Sequence, residues 1–105
     1  MFTFVLALAL AAPNPTSIDA PRNAFRACLK TFETNQIKAK VDAAAYSTAV
    51  KAACASEAQA LTDALIRFDV SMGTKRASAQ ANAQRDVEDY RLTSEERYRD
   101  QVSPQ

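Results

Sequence analysis

The sequence predicts an all-α protein, a small three-helix bundle built on a disulfide-linked antiparallel helical hairpin. Three observations carry that expectation. The chain has more than twenty alanines and one glycine among 105 residues, a composition with strong intrinsic helix preference. Beyond Pro21 the apolar residues recur at i, i+3, i+4 and i+7, the period of an amphipathic helix. Two cysteines, Cys28 and Cys54, fall on the apolar faces of successive helical segments.

The elements follow in order. Phe4 to Ala12 is an apolar run of about nine residues, which suits a signal-peptide core and is far short of the ~20 residues that span a bilayer. Ala9-Leu10-Ala11 has the small-residue spacing of a cleavage site, so residues 1–11 are expected to be a signal peptide, with Ala12 as the new first residue. Met1-Phe2-Thr3 lacks the usual Lys or Arg, so a start a few residues upstream, or a leader without a charged n-region, belongs to this expectation. Residues 12–19 follow as a flexible tail containing Pro13-Asn14-Pro15, and 20–105 as a single helical domain.

Asp19 is placed to cap the first helix, with Pro21 in its first turn. The buried face of that helix is Phe25-Cys28-Leu29-Phe32, extended by Gln36. Periodicity fails from Ile37 to Val41, and Asp42 caps a second helix of about thirty residues. Its inner face is Tyr46, Val50, Cys54, Leu61, Leu65, Phe68 and Met72. Gly73 interrupts, Thr74 is available as the next cap, and a third helix runs from Lys75 to about Asp100 on a thin apolar face of Ala79, Ala83, Val87, Tyr90 and Tyr98.

Antiparallel helices pair residues whose numbers sum to a constant. Pairing Cys28 with Cys54 centres the turn at residue 41, where periodicity fails and Asp42 offers a cap. The same register sets Phe32 opposite Val50, and Phe25 close to Glu57 and Ala58. A disulfide here closes a loop of about 27 residues, for which chain entropy gives roughly 3–4 kcal/mol. That is a large share of the stability of a domain this small.

Composition also excludes chemistry. With no histidine, no spare cysteine and one glycine, the common nucleophile-base, zinc-hydrolase and phosphate-cradling designs are unavailable. No catalytic residue, metal site or cofactor is expected. The acidic residues Asp86, Glu88, Asp89, Glu95 and Glu96 share their helix with arginines, the pattern of a solvated salt-bridge face. A net charge of +1 gives no field to attract nucleic acid. The charge is uneven, however, with a basic region from Ala20 to Lys51 and net negative residues beyond it.

Glu57 is read as the charged residue inside an apolar face, and a buried carboxylate must be paired or neutral. Arg22, Arg26 and Arg91 are its candidate partners, in a structural ion pair knitting three helices or in a binding site. Asp69 is expected near Arg76 across the Gly73 turn. Arg22, Arg26 and Lys30 form a basic stripe at i, i+4, i+8, where stacked like charges call for a counter-charge.

The segments Ala24-Phe25-Arg26-Ala27-Cys28-Leu29, Ala52-Ala53-Cys54-Ala55-Ser56-Glu57 and Arg97-Tyr98-Arg99-Asp100 resemble the pattern of uncharacterised short exported bacterial two-cysteine helical proteins. The resemblance implies compartment and fold, and brings no activity or site with it.

The expected protein is therefore a non-enzymatic, periplasmic or secreted helical domain without a transmembrane anchor, acting through contacts with a protein or cell-envelope partner. A small-molecule or anion binder using an inter-helix crevice around Glu57 is the first alternative. A membrane-surface protein using the basic first helix is the second.

Overall fold

The structure is a computed structural model that describes residues 16–103, with Thr16 described by its backbone. The expected leader, residues 1–11, and the first part of the expected tail, 12–15, lie outside the described residues. Four helices follow: α1 (Thr16–Lys38), α2 (Ala43–Val50), α3 (Ala55–Ser71) and α4 (Arg76–Val102). The described residues are all-helical as expected, with four helices in place of three.

The first difference is at the entry to α1. Thr16 to Asp19, expected in the tail, are already helical, so Asp19 sits in the first turn and Pro21 inside the helix. Ile18 is buried against the core, and that apolar contact extends the helix toward the N-terminus beyond the point a capping rule would choose.

α1 ends as the loss of periodicity indicated. The Val41 N–H donates to the Gln36 carbonyl and the Lys40 N–H to that of Ile37, while Lys40 takes a left-handed backbone, φ 59°. This is the Schellman closure. Asp42 then caps α2, its carboxylate accepting from the Ala45 N–H at 2.8 Å.

The second difference lies within the expected long helix, which breaks between Val50 and Ala55. Lys51-Ala52-Ala53 are good helix formers, so local propensity does not cause the break. Instead the Ala52 and Ala53 N–H groups tighten onto the Ala49 and Val50 carbonyls, and Cys54 adopts φ 57°, a conformation that costs a non-glycine residue about 1–2 kcal/mol. The tertiary structure holds it there, because Cys54 is bonded to Cys28 on α1, with Cα atoms 6.0 Å apart, while Tyr46 and Val50 remain buried.

α3 closes with a second Schellman motif, Thr74 N–H to Asp69 carbonyl and Gly73 N–H to Val70 carbonyl, with Gly73 at φ 102°. Gly73 is therefore a full turn. The following helix is capped at Lys75 without a side-chain hydrogen bond, so Thr74 does not serve as its cap. Met72, assigned to the inner face, is 62% exposed, because the helix ends at Ser71 and the chain is already leaving the bundle.

The helices run up, down and up. α1 and α4 are parallel, since Phe25 meets Tyr90 and Glu33 meets Arg97. α2 and α3 together form the descending limb, with α3 packed on both α1 and α4 and α2 packed on α4. At 27 residues α4 is long enough, about 40 Å, to span both pieces of that limb. The core joins Phe25 and Leu29 of α1, Tyr46 and Val50 of α2, Leu61 and Leu65 of α3, and Ala83, Val87 and Tyr98 of α4. Among the described residues no helix is long and apolar enough to cross a membrane.

Candidate functional site

The interior contains a polar cluster centred on Glu33. That residue follows Phe25 and Leu29 at i+8 and i+4, so the helical period turns it into the core, where it is 4% exposed. Ser94 of α4 lies two turns after Val87 and one turn before Tyr98 on the inward face of its helix and is fully buried. Arg97, one turn on, reaches the same point from the rim and is 39% exposed.

The groups satisfy one another. Arg97 donates Nε to Glu33 Oε1 at 3.1 Å and Nη2 to Oε2 at 2.5 Å, a bidentate pair. Ser94 Oγ donates to Glu33 Oε2 at 2.6 Å. Its single proton is then used, so the Tyr46 hydroxyl, 2.6 Å away, donates to Ser94. Beside this relay the Tyr98 hydroxyl donates to the Val41 carbonyl at 2.5 Å and fastens α4 to the α1–α2 loop.

The electrostatics follow from burial and pairing. Burial pushes the Tyr46 phenol above its ordinary 10.0, the hydrogen bond with Ser94 acts in the opposite direction, and the Glu33 charge adds to the rise. Tyr98 is raised by burial and then by Asp42. Arg97 is raised chiefly by its hydrogen bonds to Glu33. A serine near a carboxylate invites comparison with a catalytic arrangement. Here the serine donates directly to the carboxylate, no histidine intervenes, and Ser94 has no exposed surface for a substrate to approach.

The residues singled out from sequence are dispersed. Cys28 and Cys54 form the expected disulfide. Glu57 lies beside it, half-buried, its carboxylate within 4.8 Å of both sulfurs. Those sulfurs are bonded to each other and are not the thiolates a metal would require. The groove there, about 570 Å³, is lined by Ala24, Thr31, Phe32, Asn35, the disulfide and Glu57, with no arginine.

The arginines expected around Glu57 stand elsewhere. Arg22 pairs with Asp19 at 3.4 Å and lines a 340 Å³ cavity beside Asp86 and Asp89. Arg26 faces a crevice between α1 and α4. Arg91 holds its guanidinium 5.6 Å from the centre of the Phe25 ring, an attraction of the cation–π kind, and its buried Nε has no hydrogen-bond partner. Among the described residues the ion pairs are Arg22–Asp19 and Arg97–Glu33. Among the described residues Glu57 thus forms no ion pair, and Asp69 forms none with Arg76.

The charged residue that does occupy an apolar face is Glu33, which the sequence analysis passed over. The signal was present in the spacing Phe25, Leu29, Glu33 on α1 and in Ser94 and Arg97 at i, i+3 on α4. Compared with known protein families, curated proteins and solved structures, the chain finds no match.

Proposed function

We propose that this is a non-enzymatic helical protein of the periplasm or the extracellular medium, of the short two-cysteine exported kind, working through contacts between its surface and a protein or cell-envelope partner. The observation that carries this is the closure of its polar interior. Both oxygens of Glu33 are occupied by Arg97 and Ser94, and Ser94 accepts from Tyr46, so neither the carboxylate nor the serine hydroxyl is available to a substrate. The Cys28–Cys54 bridge supports an oxidising compartment.

The groove beside Glu57 offers one negative charge and an apolar lining, which does not favour an anion there. A membrane-surface role would draw on apolar side chains next to the basic stripe of α1. The exposed large apolar residues among those described are Met72, Leu92 and Val102, none of them on α1.

Fractionation of the producing cell tests the proposal. The protein should be recovered from periplasm or medium with Ala12 at its N-terminus and no thiol alkylated before reduction, and a pull-down from envelope extract under non-reducing conditions should retain a partner. Full-length protein in the cytosol with two alkylated cysteines refutes it.

A further inference from the structure

We propose that the crevice between α1 and α4 is a binding site for a phosphate monoester group. Arg26, Leu29 and Lys30 of α1 and Tyr90, Thr93 and Arg97 of α4 enclose about 200 Å³. That is smaller than the 300–1,000 Å³ typical of pockets for whole drug-sized ligands. It suits one head group, with the remainder of the molecule in solvent.

The charged residues that line the crevice are all cations. The basic stripe of α1 called for a counter-charge, and the structure supplies it to only one member. Arg22 has Asp19 as a partner and Asp86 and Asp89 across its cavity. Arg26 and Lys30 have no ion-pair partner among the described residues. A bound anion would relieve the repulsion between them.

Arg97 is held in advance. Its Nε and Nη2 are engaged by Glu33, itself fixed by Ser94, so the guanidinium plane is set and Nη1 remains for a ligand. A donor positioned before binding loses less freedom when it binds. Tyr90 and Thr93, whose hydroxyls make no hydrogen bond among the described residues, complete the lining.

Charge and donor number select the group. Arg26, Lys30 and Arg97, offset by Glu33 behind Arg97, leave two positive charges, close to the −1.5 to −2 of a phosphate monoester near neutrality. Three cationic donors and two hydroxyls exceed what the two oxygens of a carboxylate can use and match three phosphoryl oxygens. This deepens the surface-contact reading by naming the chemistry that would be recognised, and it is tested on purified protein independently of export.

The test uses the disulfide-bonded protein. Inorganic phosphate is titrated and followed by amide NMR shifts, with acetate as comparison and with phosphatidylcholine vesicles containing phosphatidic acid as a second arm. Shifts at Arg26, Lys30, Thr93 and Arg97 should saturate below about 10 mM phosphate. Arg26→Gln and Lys30→Gln, both exposed positions, should each weaken binding by about tenfold, while Arg99→Gln, outside the crevice, leaves it unchanged. Vesicle binding lost in Arg26→Gln assigns the phosphate to a lipid head group, and phosphate binding without vesicle binding assigns it to a soluble molecule. Shifts that rise linearly without saturation, acetate binding as tight as phosphate, or variants indistinguishable from the parent overturn the proposal.

Discussion

The rings of Tyr46 and Tyr98 lie parallel, 1° apart in plane with centroids separated by 3.8 Å, and each hydroxyl is directed to a different polar partner. One phenol enters the Ser94–Glu33–Arg97 relay and the other reaches the Val41 carbonyl. Two residues about half the chain apart thereby fasten α2 and the first inter-helix loop to α4. The end of the bundle that holds α2 depends on this pair, since α2 is only eight residues long and too short to be helical alone.

Alkaline pH should loosen this fastening. Both phenols are raised above the ordinary 10.0 by burial, so the unfolded chain gives up these protons first as pH rises. Their contribution is complete below pH 10.0 and is lost as pH climbs through the folded-state values. Urea midpoints measured across this range should fall steeply for the parent. The fall should be shallower for Tyr46→Phe and Tyr98→Phe. An unchanged slope in both variants would show that the tyrosines are not responsible.

Removing the carboxylate of Glu33 should be among the costlier single changes. Glu33→Ala leaves Ser94 and Arg97 without their acceptor and should cost about 2–4 kcal/mol, toward the lower end because Arg97 can turn to water. Glu33→Gln keeps an acceptor and should cost about half as much. The parallel variants at Glu57 should stay within about 0.5 kcal/mol of the parent. Chemical denaturation of the four proteins decides which acid is structural.

The disulfide and the backbone of Cys54 can be separated. Cys28→Ala with Cys54→Ala should lose roughly 3–4 kcal/mol of stability on the chain-entropy account. Cys28→Ala with Cys54→Gly should be about 1 kcal/mol more stable than the double alanine protein, because glycine accepts φ 57° without strain. Equal melting temperatures would mean that the left-handed turn relaxes once the tether is gone.

Lys40 offers a stabilising change. It occupies the left-handed position of a Schellman motif at φ 59°, a position that glycine fills at the end of α3. Lys40→Gly should raise stability by about 0.5–1 kcal/mol, read as an increased urea midpoint with an unchanged slope.

Much of the fold was legible in the sequence because it rests on local physics. The alanine content and the 3.6-residue period identify helices, Asp42 marks the start of α2, Gly73 marks the turn before α4, and the numbering of Cys28 and Cys54 places a turn near residue 41. All but the cysteine pairing depend on residues within a few positions of one another, and that pairing needs only the numbers of two residues 26 apart. Tertiary structure alone decided the break at Lys51 to Cys54, the burial of Glu33 and the scattering of the arginines. The break occurs where local preference is for continued helix, because a bond to α1 and the packing of Tyr46 on α4 together outweigh about 1–2 kcal/mol of backbone cost at Cys54. Glu33 can be buried because Ser94 and Arg97, more than sixty residues distant in sequence, arrive at hydrogen-bonding distance. No local pattern contains such a partner, since only the parallel alignment of α1 with α4 sets Glu33 beside Ser94 and Arg97.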